Sequence, residues 1–193
     1  MKKIIIAAAA LLTFAFSSVA QPVMQEFEPG AGFAIYPSSG CRNSVSLFAE
    51  YRAFFNDMVD LGVRASTSWT RRFLTTSTTD PESGLVTTSE NKYRLWGTKI
   101  QAFGDYHLPL AANFTPYAGV GLGPQLCMTR PADPAFKLRL AVTPRLGIRL
   151  FETIDLGVEF NWVPGAVSFN YIALNFGWVF QVGGYGRGGG YLF

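Results

Sequence analysis

The stretch from Arg145 to Trp162 constrains this chain more than any other. Leu146, Ile148 and Leu150 alternate with Arg145, Gly147 and Arg149. After a two-residue break, Ile154, Leu156, Val158, Phe160 and Trp162 alternate with Asp155, Gly157, Glu159 and Asn161. A period of two belongs to a strand with unlike faces; at helical spacing the same charges would scatter around the whole cylinder. The pattern recurs and predicts eight strands, over 30–36, 44–54, 59–71, 93–107, 115–126, 136–151, 154–162 and 169–182.

Most of these segments reach nine residues. Tilted membrane strands need about 9–11, whereas strands of globular proteins average five or six. The connections alternate in length. Those at Asn56-Asp57, 108–114 and Glu152-Thr153 are short, the one over 72–92 is long and rich in Thr and Ser, and the one over 128–134 is moderate. Short turns at one end and longer loops at the other are expected of an outer-membrane barrel.

The N-terminus predicts a cleaved secretory signal. Lys2 and Lys3 precede an apolar run from Ile4 to Phe16, too short to span a bilayer, and Ser18-Val19-Ala20 offers a small-residue cleavage site. The expected organisation is a signal peptide over 1–20, a barrel over 21–182 and a Gly-rich tail over 183–193. Losing Lys2 and Lys3 leaves fourteen basic residues against thirteen acidic ones, and no basic cluster dominates the sequence. That argues against a nucleic-acid partner. Charged residues make up 15% of the chain, well under the roughly 25% of an average soluble domain. No second apolar stretch approaches the length of a membrane helix.

Alternation alone permits two orientations. A soluble lipocalin-like barrel points its apolar face inward around a small apolar ligand; a membrane barrel points it at lipid. Three features favour the second. The polar face is rich in small residues such as Gly62, Ser66, Gly119, Gly147 and Gly177, as a narrow eight-stranded interior requires. It has few lysines and near-balanced charges: Glu50, Arg52, Arg64, Lys99, Arg139, Arg145, Arg149, Asp155 and Glu159 are expected to form an enclosed ion-pair network, with Arg145, Arg149, Asp155 and Glu159 pairing across strands six and seven. Aromatics gather near both strand ends, Tyr36, Trp69, Trp96, Trp162 and Tyr171 at the long-loop end and Tyr51, Phe55, Tyr106, Phe151, Trp178 and Phe180 at the other, as two interfacial belts would. The expected fold is thus all-β, an eight-stranded antiparallel up-and-down transmembrane barrel, with the secreted soluble barrel as the alternative.

In this pattern the chain resembles the small bacterial outer-membrane β-barrels of the OmpX/OmpA-transmembrane-domain type, and more closely the compact barrel proteins of Bacteroidota, over residues 28–182. Asn175, Gly177, Phe180 and Val182 look like the terminal-strand signal read by the barrel assembly machinery, although the chain runs eleven residues further and ends in Tyr191-Leu192-Phe193. The resemblance implies residence in the outer membrane of a Gram-negative bacterium, with lipid and the assembly machinery as partners.

Catalysis is not expected. The only histidine, His107, falls beside a short turn and reads as an interfacial residue away from the outer mouth. Eight strands leave an interior just wide enough to be filled by side chains, so a plugged core is expected rather than an open pore. Cys41 and Cys127 fall at the long-loop end, and a disulfide between them is open in a secreted chain. Two cysteines and one distant histidine form no legible metal set, and no cofactor is expected. The 72–92 loop, whose Thr and Ser content suits an extended hairpin, is the candidate for an extracellular partner. The expected role is that of a monomeric structural or adhesion-like barrel.

Overall fold

A computed structural model describes residues 24–79, 85–111, 113–130 and 133–184, with 133–135 described by backbone alone. The signal-peptide region and the tail beyond Gly184 lie outside the described residues. The strands are β1 (Met24–Ile35), β2 (Ser44–Phe54), β3 (Val59–Thr79), β4 (Val86–His107), β5 (Phe114–Arg130), β6 (Asp133–Leu150), β7 (Ile154–Asn161), β8 (Tyr171–Trp178) and β9 (Phe180–Gly184). Each pairs antiparallel with its sequence neighbour from β1 to β8. β1 closes the ring by pairing with β2 on one side and with β8 and β9 on the other. β8 and β9 are two halves of one stave, interrupted at Val179, whose N–H donates to the Thr153 carbonyl. The fold is therefore an all-β, eight-staved antiparallel barrel.

The strand boundaries depart from expectation in four places, one being that β5 runs on to Arg130 and β6 starts at Asp133, which takes up most of the expected 128–134 connection. β1 starts at Met24 rather than Gly30, which brings Glu26 and Glu28 into the wall; Pro29 removes one ladder donor without ending the strand. β3 and β4 run on past Arg72 and before Lys92, pairing as far as Thr79↔Val86, so the strands end later than expected and most of the 72–92 segment is the extended hairpin that its Thr and Ser content suits. Its threonines suit a strand on both faces, and Thr78 lies opposite Thr87. The last stave begins at Tyr171, after a 3₁₀ turn over Val167–Phe169.

The outer wall is apolar. Val45, Leu47, Leu61, Ile100, Val120, Leu122, Leu146, Val158, Phe160, Leu174 and Phe176 are all exposed on it. Charged and polar side chains point inward, and Glu50, Arg52, Asp60, Lys99, Gln101, Asp155 and Glu159 are at most 3% exposed. This is the reverse of what a lipocalin-like ligand cavity requires.

The interior is packed to the wall. A Cβ on Gly177 would fall 1.9 Å from Glu28 Oε1, and one on Gly147 would fall 2.4 Å from the Tyr117 ring. Glycine at both places gives the opposing side chain its space. Two apolar clusters close the long-loop end: Leu95, Cys127, Ala141, Val163 and Phe169, and Ala34, Tyr36, Tyr171 and Ala173. Tyr36 and Tyr171 thus face inward, with ring centroids 5.3 Å apart, and are not part of an outer belt. Tyr51, Trp69, Trp96, Tyr106, Phe151, Trp162, Trp178 and Phe180 do lie exposed on the outer wall, and Phe55 is half-buried.

Candidate functional site

The core of the barrel is a continuous ionic network centred on Glu50 of β2. Its carboxylate accepts hydrogen bonds from Arg52 at 2.7 Å, from Arg145 Nη1 and Nη2 at 2.9 and 3.1 Å, and from Arg64. Arg64 Nη2 continues to Glu159 at 3.0 Å. Glu159 also meets Lys99 Nζ at 3.3 Å, which donates further to Asn161 at 3.0 Å. Toward the short-turn end Arg52 pairs with Glu28, and Arg149 reaches Glu26 at 2.8 Å and Asp155 at 3.9 Å.

The register places Arg145 opposite Glu159 and Arg149 opposite Asp155, as the alternation predicts. The partners only half follow it. Arg145 ignores its strand neighbour and crosses the lumen to Glu50 and Asp105, because in so narrow a tube the far wall is as near as the next strand. Aromatic rings fill the remaining flanks: Phe103 lies 4.7 Å from the Arg145 guanidinium and Phe48 lies 4.0 Å from that of Arg64. The void left among Glu28, Arg64, Tyr117, Arg145 and Glu159 is about 10 Å³, room for about one water molecule.

Arg139 does not join this network. Its side chain is exposed at the mouth, lining a cleft of about 530 Å³ with Arg72, Lys137 and Ser168. The cluster of Ala141, Val163 and Phe169 closes the lumen beneath it, so an inward-pointing stave position there meets solvent. Cys41 and Cys127 carry free thiols, so the bridge that the sequence left open is not formed. Burial pushes the Cys41 thiol pKa up. His107 is also placed differently from expectation. It is not interfacial but fully buried, between the rings of Phe54 and Tyr117 at 5.1 and 5.3 Å, with Nε2 2.9 Å from Asp60 Oδ2. Asn175 and Gly177 lie on β8 and Phe180 and Val182 on β9, the last two exposed on the outer wall.

The sequence reading missed Glu26 and Glu28, whose alternation with Phe27 was the available signal. It also missed a basic cluster, which becomes visible only when strands are laid side by side. Arg71 on β3 is the register partner of Arg94 on β4, which is in turn the partner of Arg130 on β5. Three like charges in one row repel each other. All three are exposed on the outward face, directly above Trp69 and Trp96, with which they line a cleft of about 720 Å³. Arg42 and Lys92 extend the cluster, their cations 4.6 and 5.8 Å from the Phe73 ring. Among residues whose side chains are described, no carboxylate forms an ion pair with any of these five.

No protein-family model matches the chain, and no curated protein matches it in sequence. Solved structures of similar outline exist. The N-terminal β-barrel domain of Pseudomonas aeruginosa OprF is 14% identical with a TM-score of 0.49, over 83% of this chain and 100% of that one. Neisserial surface protein A is 14% identical with a TM-score of 0.48, over 82% and 96%. Ail, the attachment invasion locus protein of Yersinia pestis, is 14% identical with a TM-score of 0.45, over 83% and 100%. The apolar wall, the ionic core and the basic row are read from this chain's own side chains.

Proposed function

We propose that this chain is a monomeric integral barrel of a Gram-negative outer membrane, with a plugged interior, whose outward rim binds an anionic ligand. The membrane part rests on the inverted sidedness. An apolar belt encircling the molecule far exceeds the few hundred Å² that a soluble monomer leaves exposed. On β4 the outward side chains from Trp96 to Tyr106 span ten residues of rise; at about 3.3 Å each and a tilt near 40° this gives an apolar band of roughly 25 Å. Aromatic residues at both ends match the interfacial girdles of such a band.

The observation that carries the binding role is the row Arg71, Arg94 and Arg130. It sits just beyond Trp69 and Trp96, at the level where headgroup phosphates of an outer-leaflet glycolipid would lie. Arginine forks suit phosphate and sulfate oxygens, and an anion across the row turns mutual repulsion into shared attraction. Phosphate esters of the surrounding glycolipid are the favoured ligand. The Ail barrel has been crystallised with the heparin analogue sucrose octasulfate; that is a property of Ail, and sulfated saccharide is the second arm of the test. The role is one of contact rather than catalysis, since His107 lies sealed inside the barrel.

The test is a triple Arg71→Gln/Arg94→Gln/Arg130→Gln variant, folded in detergent and titrated with phosphorylated lipid A and with sucrose octasulfate. The native barrel binds lipid A with an affinity that falls steeply with salt, and the variant loses that binding while keeping native gel mobility. Preference for the sulfated sugar moves the ligand to a soluble glycan. Equal binding of both anions by native and variant barrels would refute the rim assignment.

A further inference from the structure

The short-turn end of the lumen holds a cluster that the ion-pair network leaves unsatisfied. Asp60 of β3 and Asp105 of β4 are register partners, two carboxylates directly opposite each other on adjacent strands. His107 lies two residues beyond Asp105 and so shares its face. One ligand atom from each of the three lies within 4.8 Å of the others. Asp60 and His107 are fully buried and Asp105 is 3% exposed.

Hydrogen bonding is incomplete here. His107 Nε2 and Asp60 Oδ2 bond to each other, but Asp60 Oδ1, both oxygens of Asp105 and His107 Nδ1 are buried with no hydrogen-bond partner. The cations facing the cluster do not fill that need. Arg145 Nε stands 3.4 Å from Asp105 Oδ1 as an ion pair without a hydrogen bond, and Arg52 Nη1 stands 3.8 Å from Asp60 Oδ2. Arg149 is turned to Glu26. Buried acceptors left this way cost free energy that a bound cation would recover. Space for the Asp105 carboxylate is kept by Gly119, where a Cβ would fall 1.8 Å from Asp105 Oδ1.

Charge counting over the whole interior points the same way. Among the described residues, seven carboxylates are buried (Glu26, Glu28, Glu50, Asp60, Asp105, Asp155 and Glu159) against five cations (Arg52, Arg64, Lys99, Arg145 and Arg149). With every one of these groups ionised the core holds two negative charges in excess, which one doubly charged ion balances.

We propose that Asp60, Asp105 and His107 bind one divalent transition-metal ion of the zinc class at the base of the lumen. One imidazole nitrogen with two carboxylates favours zinc or its first-row neighbours over calcium and magnesium, which take all-oxygen shells. Bonds of about 2.0–2.2 Å require the three donors to draw together by roughly an ångström, with water completing the shell. The ion turns the Asp60–Asp105 repulsion into a bridge that pins the start of β3 to the end of β4, at the opposite end of the pair from the turn that joins them. This site is independent of what the outer wall touches.

The experiment uses the full barrel without a histidine tag, in a Cys41→Ser/Cys127→Ser background so that no thiol competes. The chain is unfolded in urea, stripped with chelator and refolded in detergent with or without ZnCl₂, so that the ion can enter before the lumen closes. Metal content, calorimetric titration with Zn²⁺ and the visible absorption of a Co²⁺-loaded sample are then measured. We expect one equivalent of zinc, a cobalt spectrum of low-symmetry N/O coordination, and affinity lowered roughly tenfold or more in Asp105→Asn and in His107→Gln. Should His107→Gln fail to refold, the isosteric Asp105→Asn decides alone. Substoichiometric metal, or equal binding by Asp105→Asn, would overturn the site and leave protons as the balancing charge.

Discussion

Replacing Glu50 with Gln tests whether the ionic core is organised by local pairing or merely by total charge. The two accounts predict opposite signs. On total charge, Glu50→Gln removes one of two excess negative charges and stabilises the barrel. On local pairing it removes the acceptor shared by Arg52, Arg64 and Arg145 and sets an amide N–H₂ against guanidinium donors. Arg52 retains Glu28 and Arg64 retains Glu159, but the one carboxylate left to Arg145 is Asp105 at 3.4 Å. Breaking one partner of a buried pair costs about 3–5 kcal/mol, because the other charge stays desolvated. We expect a loss of that size, set by Arg145. The assay is equilibrium urea unfolding of the refolded barrel, followed by tryptophan fluorescence and heat-modifiable gel mobility. Exposed Glu90→Gln is the control and should stay within about 0.5 kcal/mol. The double variant Glu50→Gln/Arg145→Gln should recover part of the loss, since it removes the stranded guanidinium. A Glu50→Gln barrel within about 1 kcal/mol of native, or more stable than it, refutes the pairing account.

Four further outcomes rest on particular residues. Phe151 and Glu152 occupy the two central positions of the β6–β7 turn with φ of 53° and 58°, a geometry that glycine adopts without cost; Glu152→Gly should raise the urea midpoint by the equivalent of about 1 kcal/mol, and a lowered midpoint would show that Glu152 has another role. Both thiols should react with Ellman's reagent after denaturation without reductant, and non-reducing gels should show no fast-migrating form. In the folded barrel Cys41 should react slowly at pH 7 and faster as pH rises, because burial lifts its pKa and keeps the thiolate scarce; a thiolate already dominant at pH 7 would contradict this. Finally Trp69, Trp96, Trp162 and Trp178, each about half exposed on the outer wall, should be quenched by brominated lipid after reconstitution, and quenching by aqueous iodide instead would sink the membrane reading.

The barrel was legible because its alternation is redundant. Each of Leu146, Val158 and Leu174 lies beside the next across β6, β7 and β8, so an error in one strand end leaves the facing unchanged. Strand ends were less legible. Pro29 sits inside β1, and the threonines of β3 and β4 read equally as loop or hairpin until their pairing is seen. Partner choice was least legible. Arg145 and Glu50 are 95 residues apart, and only closure of the ring puts them within 2.9 Å. The same holds for Arg71, Arg94 and Arg130, which are unremarkable along the chain and form a row only in register.

This division has a physical cause that also separates the two ends of the molecule. Facing depends on one residue and its neighbours, and the choice between water, lipid and lumen enforces it at every position. Pairing depends on ring size and stagger, which set how far a side chain must reach across the tube. In the middle of the lumen that reach is satisfied, and Glu50 gathers three guanidinium groups. At the base it is not, and Asp60 faces Asp105 with three carboxylate oxygens and one imidazole nitrogen of the cluster left without a hydrogen-bond partner. At the outer rim the row of arginines likewise lacks carboxylate partners among the described side chains. A packed barrel that sets opposite charges together at the centre, and leaves like charges abreast at both ends, places at those ends the contacts we propose it makes with something other than itself: a small cation inside the base and an anionic surface outside the rim.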